Sequence, residues 1–216
     1  MYGPSFKSVG ATGKTALLKD ITFGNGETSD VLLLIDPATA AYNELIYLNS
    51  EDAVDLCGEG AVAGWYKDEG DDVFTYKGNE SISLGCAFWT FPVTYALSLT
   101  DAGEVENSFS RTLPVSLYSA FANPFPTSVP LKKFTFEGGE TSDVMLLIDK
   151  ATAAYTELIY LNAEDAVDLC GNGAVAGWYL DEGDDVFTYK GDEPLEAGQG
   201  CWIFPVTYNV TVTANL

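Results

Sequence analysis

Two clusters of carboxylates are the residues of this sequence most able to do chemistry. Asp68, Glu69, Asp71 and Asp72 surround Gly70, and Asp181, Glu182, Asp184 and Asp185 surround Gly183 in the same order. Closely spaced carboxylate oxygens are the hard ligands that Ca2+ accepts, which makes Asp68, Asp71, Asp72, Asp181, Asp184 and Asp185 candidate calcium ligands. The spacing is not that of an EF-hand loop. Asp and Gly are equally ordinary at the tip of a hairpin, where turn formation alone accounts for them.

Thiols are the second chemical resource. Cys57 and Cys170 occupy equivalent positions of an internal repeat, whereas Cys86 aligns with Gln199, two places from Cys201. A displacement of two along a strand returns a side chain to the same face. The disulfides Cys57–Cys86 and Cys170–Cys201 are therefore expected, and with them an oxidising compartment, extracellular or at the cell surface. Buried free thiols are the alternative. Zinc is disfavoured, because the chain has no histidine and no CxxC spacing.

The absence of histidine excludes Ser/His/Asp and Cys/His catalysis. Acids are so frequent that any carboxylate pair would look suggestive, and no Walker A loop or dinucleotide fingerprint is present. The chain reads as non-enzymatic. Trp65, Tyr66 and Trp89, with their equivalents Trp178, Tyr179 and Trp202, are candidate aromatic platforms for a sugar if they are exposed together; within strands of a small module, such rings more often belong to the core. A net charge of −22, shared by both halves, repels phosphate backbones and anionic lipid, so nucleic acid and membrane surfaces are disfavoured partners. No apolar run is long enough to span a bilayer, and the start MYGPSFKSVG lacks the basic and apolar regions of a signal peptide.

The elements that must position these residues are written twice. Residues 26–78 recur at 139–191, without a gap, and differ only at Leu32/Met145, Pro37/Lys150, Asn43/Thr156, Ser50/Ala163, Glu59/Asn172 and Lys67/Leu180. Two β-modules are expected, over residues 1–108 and 109–216, each large enough for its own core. The continuous apolar run VLLLID at 31–36 predicts a strand buried on both faces. Residues 42–48 predict its hairpin partner. Asn49 or Ser50 as a cap, Glu51 and Asp52 in a first turn, and Gly58 as a stop predict a short helix over 50–57, repeated after Asn162. Residues 63–67 and 73–76 predict a hairpin with the acidic cluster at its tip. Residues 86–100 and 200–214 predict strands bent at Pro92 and Pro205, residues 1–19 a strand, a turn and a strand start, and residues 103–114 a short polar connector. The expected fold is mainly all-β: two tandem copies of a small β-sandwich or barrel, each with one short helix.

The pieces GWYxDEGDDV and LxxGxGCWIFPV (Leu195 to Val206), with YSAFANPFP and SLTDAGEV, resemble the tandem-repeat modules of secreted bacterial proteins. Those modules open on a GNPF-like strand and close on a PGxGFWV-like strand. Ala122 stands where that pattern has glycine, and the first copy reads GCAFW. The resemblance implies an extracellular β-module without catalytic residues. The expected function is a secreted structural protein that self-assembles, with copies of itself as partners, into a filament, tube or surface layer: if the two modules meet through a heterologous contact, that contact also joins successive chains. The alternative is a bivalent adhesin or carbohydrate-binding module with a sugar ligand.

Overall fold

The computed structural model describes residues 5–8, 16–36, 39–83, 86–94, 98–100, 107–149, 152 and 154–215. It is mostly β, with 45% of residues in strands and 12% helical, as expected of an all-β fold. Part of the expected strand and turn of residues 1–19 lies outside the described residues.

In the first half the strands are β1 (Ser5–Ser8), β2 (Ala16–Leu17), β3 (Thr22–Gly24), β4 (Val31–Ile35) and β5 (Tyr42–Leu48). After helix α1 (Ser50–Cys57) come β6 (Gly64–Asp68), β7 (Phe74–Tyr76), β8 (Ser81–Ile82), β9 (Ala87–Phe91) and β10 (Ser98–Thr100). The second half holds β11 (Ser108–Leu113), β12 (Ser119–Ala122), β13 (Val129–Pro130), β14 (Phe134–Glu137), β15 (Val144–Ile148) and β16 (Tyr155–Leu161). Helix α2 (Ala163–Cys170) then leads to β17 (Gly177–Asp181), β18 (Phe187–Tyr189), β19 (Pro194–Leu195), β20 (Gly200–Phe204) and β21 (Val210–Asn215).

Each half is built on a six-stranded antiparallel sheet, in the order β1-β9-β4-β5-β6-β7 and then β12-β20-β15-β16-β17-β18. The registers agree: Val31 lies opposite Ile46 and Phe91, and Val144 opposite Ile159 and Phe204. In the second half a smaller sheet, β11-β21-β14, closes the sandwich. Phe109, Phe134, Phe136 and Val212 from that sheet meet Met145, Leu158, Trp178 and Ile203 from the larger one in a single core. Residues 108–113, expected as part of a connector, are thus a strand. The alternation that puts Phe109 and Leu113 inside explains why.

Helix α1 spans the expected residues, and the repeat identifies its cap. The Asn49 side chain accepts hydrogen bonds from the Glu51 and Asp52 N–H groups, both at 2.9 Å. Asn162 does the same for Glu164 and Asp165, although Ser50 is replaced by Ala163 in that copy. The asparagine is therefore the cap. Thr28 and Asp52 bind each other, and the Asn49 N–H donates to the Thr28 hydroxyl at 3.1 Å, which anchors the helix start to the turn before β4.

Both faces of β4 are covered, but by different partners. Leu32 and Leu34 pack into the core of their own half, whereas Leu33 and Ile35 face the other half. That second surface collects Leu33, Ile35 and Trp89 from the first half and Leu146, Ile148 and Trp202, their equivalents, from the second, with Ala120 and Ala122 added. Strand β9 touches β20, and β1 touches β20 as β12 touches β9. The contact thus joins like surfaces and is isologous. It uses up both copies of the surface, so the heterologous docking on which the chain-to-chain expectation rested is absent from this interface.

Candidate functional site

The acidic tips fold as turns. Asp68 ends β6, and its carboxylate accepts the Gly70 N–H at 2.8 Å. The turn closes with the Glu69 N–H on the Val73 carbonyl and the Val73 N–H on the Gly70 carbonyl. Asp71 and Asp72 sit at φ 52° and 60°, the left-handed region that Asp and Asn tolerate better than most residues. Asp181, Asp184 and Asp185 repeat this geometry. Among the described residues no three Asp, Glu, Cys or His side chains come together as metal ligands. For Asp68, Asp71, Asp72 and their equivalents the local turn accounts for the spacing from which calcium was expected.

The disulfide expectation is corrected: Cys57, Cys86, Cys170 and Cys201 are all free. Sheet register gives the reason. Cys201 lies opposite Leu147, which pairs with Thr156 near the start of β16, whereas α2 begins beyond Leu161 at its far end. Cys201 lies two strand spacings, roughly 10 Å, from the strand that carries the helix and is buried in the core of the second half, whereas Cys170 is exposed at the end of that helix. Displacement by two does keep a face, but it says nothing about which strands lie between. Cys86 instead bridges to Phe121 of the other half. Burial pushes the Cys201 thiol far above its ordinary range, a shift that Arg111 only partly opposes. Cys57 and Cys170 are exposed at the helix ends. Ellman's reagent is expected to titrate those two at once in the native protein and Cys201 only after unfolding. Failure to find free thiols in the unfolded, unreduced protein would restore the disulfides.

The tryptophans separate into two kinds, neither of them an exposed platform. Trp65 and Trp178 are core residues, as is Tyr160, whose phenol is raised above its ordinary value first by burial and then by the nearby Asp143 carboxylate. Trp89 and Trp202 lie between the halves. Beside them the inter-half contact opens into an aromatic cleft. One part, about 390 Å3, is walled by Tyr42, Leu146, Tyr155, Trp202, Phe204 and the Ser116–Tyr118 segment. The adjoining part, about 280 Å3, is walled by Leu33, Tyr42, Trp89, Phe91, Tyr155 and Trp202. Exchanging each residue for its repeat equivalent turns most of one wall into the other.

Tyr42 and Tyr155, 56% and 53% exposed, belong to both parts. Tyr42 of the first half meets Trp202 of the second edge-on, with ring centroids 6.4 Å apart. Tyr118 lies 4.6 Å from Phe204. Among the described residues no acid or base lines either part. No family model, no curated protein and no solved structure matches this chain. What the cleft does must therefore be argued from its own geometry.

Tyr42, Tyr155 and Tyr118 did not stand out in the sequence, where Tyr42 and Tyr155 read as strand residues. The available signal is that Leu33, Tyr42, Trp89 and Phe91 are all unchanged in the second copy as Leu146, Tyr155, Trp202 and Phe204. The ANPF segment of the resemblance has a structural role: Asn123 is buried, donating to the Thr127 and Leu195 carbonyls, each at 2.8 Å, and accepting from the Phe125 N–H.

Proposed function

We propose that this protein is an extracellular binding module that holds a neutral glycan in the aromatic cleft between its halves. The carrying observation is the set of exposed tyrosine rings, Tyr42, Tyr118 and Tyr155, around a cleft that has no charged side chain among the described residues. Tyrosine rings stack on the C–H faces of sugar rings while their hydroxyls stay in water. A volume of about 390 Å3 falls in the ordinary range for small-ligand sites. The net charge of −22 disfavours anionic ligands. With the thiols free, the extracellular placement rests on the resemblance to secreted repeat modules.

Titration with soluble neutral hexasaccharides of glucose, xylose, mannose and N-acetylglucosamine, read by tryptophan fluorescence, tests this reading. At least one is expected to quench Trp89 and Trp202 saturably, with Tyr42→Ala and Tyr155→Ala each weakening binding roughly tenfold, the loss of one stacking contact of about 1.4 kcal/mol. A flat response to the whole panel, or equal binding by the doubly substituted protein, would refute it.

The second reading, a self-assembling structural protein, needs a surface other than the inter-half contact. Val54, Leu56, Val62 and Val73, exposed with their equivalents Val167, Leu169, Val175 and Val186, supply apolar surface for one. Electron microscopy showing filaments or sheets of the purified protein would favour it, and monodisperse monomers across a wide concentration range would remove it.

A further inference from the structure

Within the near-identical stretch the two halves differ at six positions, and one of those differences creates a chemically reactive pair. Where the first half has Glu59, the second has Asn172, directly before Gly173. The side-chain amide of an asparagine can be displaced by the backbone nitrogen of the next residue, and glycine, having no Cβ, obstructs that attack least. The dipeptide occurs twice in the chain, at Asn25–Gly26 and at Asn172–Gly173. The structure surrounds the two pairs very differently.

Asn172 stands in a turn directly after α2. The Gly171 N–H closes the helix on the Val167 carbonyl, and the Ala174 N–H returns to the Gly171 carbonyl at 3.1 Å. Gly173 sits at φ 96° and Asn172 at a negative φ, so they are the central residues of a type II turn. Among the described residues nothing hydrogen-bonds the Gly173 N–H or the Asn172 side chain. Residues 171 to 173 are all exposed. A Cβ added at Gly171 or Gly173 would meet nothing within 4 Å, so a ring closed between the Asn172 side chain and the Gly173 nitrogen has open space on both sides. The flanking glycines also let the Asn172 backbone rotate into the geometry of attack.

Asn25 has the same neighbour and the opposite surroundings. It sits at φ 62° itself. Gly24 before it belongs to β3 and lies opposite Ser98, while the Glu27 N–H after the pair donates to Asp30 at 2.9 Å. Gly26 lies against the half-buried Tyr47, where an added Cβ would come within 2.9 Å of the ring. Ring closure here would have to move a strand end, an anchored turn and a tyrosine.

We propose that Asn172 is a site of spontaneous deamidation, through which the second half acquires the negative charge that Glu59 gives the first. The Gly173 nitrogen gives up its proton to the solvent and forms a bond to Asn172 Cγ. The bond from Cγ to the side-chain nitrogen breaks, and that nitrogen takes up a proton and leaves as ammonia. Water then opens the cyclic imide at either carbonyl, giving aspartate, or isoaspartate when the chain continues through the side chain. Overall an amide and a water become a carboxylic acid and ammonia, with no change of oxidation state. Either product adds one negative charge to the −22 of the chain. The extra backbone carbon of isoaspartate falls between exposed glycines, outside the strands of the second half. Neither asparagine lines the cleft, so the reaction is independent of what binds there.

The test incubates the full chain at neutral pH, folded and in denaturing guanidinium chloride, and follows amide-to-acid conversion at each asparagine by peptide mass spectrometry. Chromatographic retention separates isoaspartate from aspartate. In the folded chain Asn172 is expected to convert at least roughly tenfold faster than Asn25, a difference of about 1.4 kcal/mol in barrier, and in denaturant the two rates are expected to converge. Asn172→Gln is expected to remove the early acidic form seen on isoelectric focusing, and Gly173→Ala, which keeps the amide but crowds the attacking nitrogen, to slow its appearance. Equal conversion of the two asparagines in the folded chain would overturn the proposal. So would a folded chain in which Asn172 stays intact while the denatured chain converts.

Discussion

Replacing Asp143 by alanine is expected to lower the unfolding free energy by about 3 to 6 kcal/mol, because it removes the charged acceptor of two part-buried backbone N–H groups, and a hydrogen bond to a charged group contributes about 1.5–3 kcal/mol. Asp143 is 2% exposed. One carboxylate oxygen accepts the Val206 N–H at 2.7 Å and the other the Glu140 N–H at 3.0 Å. Its own carbonyl receives the Tyr160 N–H at 2.8 Å. The side chain thus ties the turn before β15 to the chain leaving β20, and both strands carry cleft residues. Asp30 does the same in the first half, accepting from Val93 at 2.7 Å and Glu27 at 2.9 Å, so Asp30→Ala is expected to cost a similar amount. Asn keeps one acceptor oxygen, and Asp143→Asn is expected to recover about half of the loss. Denaturant unfolding at neutral pH provides the measurement. A shift below about 0.5 kcal/mol for the alanine variant, the range of an ordinary surface substitution, would contradict this role.

The second large effect is expected from Trp202→Ala, at about 3 to 5 kcal/mol, the usual cost of emptying a buried aromatic site. Trp202 is 7% exposed and packs where the halves meet, together with Trp89, Ile35 and Ile148. Its loss also removes the edge against which Tyr42 rests, so ligand binding in the cleft should fall with stability. Trp89→Ala is the equivalent change on the other side of the contact. Because both rings belong to one cluster, the double variant is expected to cost less than the sum of the singles. Strict additivity would mean that the two tryptophans do not share an interface. Calorimetry adds a further readout: with the contact weakened, a single melting transition is expected to broaden or split as the halves lose their coupling.

Much of the local architecture was legible in the sequence because its causes are local. Asn49, the acids after it and Gly58 all act within one helical turn of the boundaries they set, and helix α1 runs over the expected residues. The hairpin from β6 to β7 follows from strand composition around an Asp–Gly tip. The apolar run at 31–36 correctly implied two covered faces, and the internal repeat announced that every local decision would be made twice.

What covers the second face is a long-range matter, and there sequence alone had little to offer. Period-two alternation says that Leu33, Ile35 and Trp89 share a side, but not that their own copies will cover them. The disulfide expectation failed for the same reason, since strand parity fixes a face while the number of intervening strands fixes a distance. The acidic tips that looked most chemical are accounted for by φ angles and one backbone N–H each. Their carboxylates needed a turn, and the turn is what the tertiary structure shows. The composition, the duplication and the local signals determined an all-β chain with two capped helices. Only the tertiary structure decided that like surfaces meet, because that choice depends on side chains brought together across more than a hundred residues, and in doing so it made the cleft.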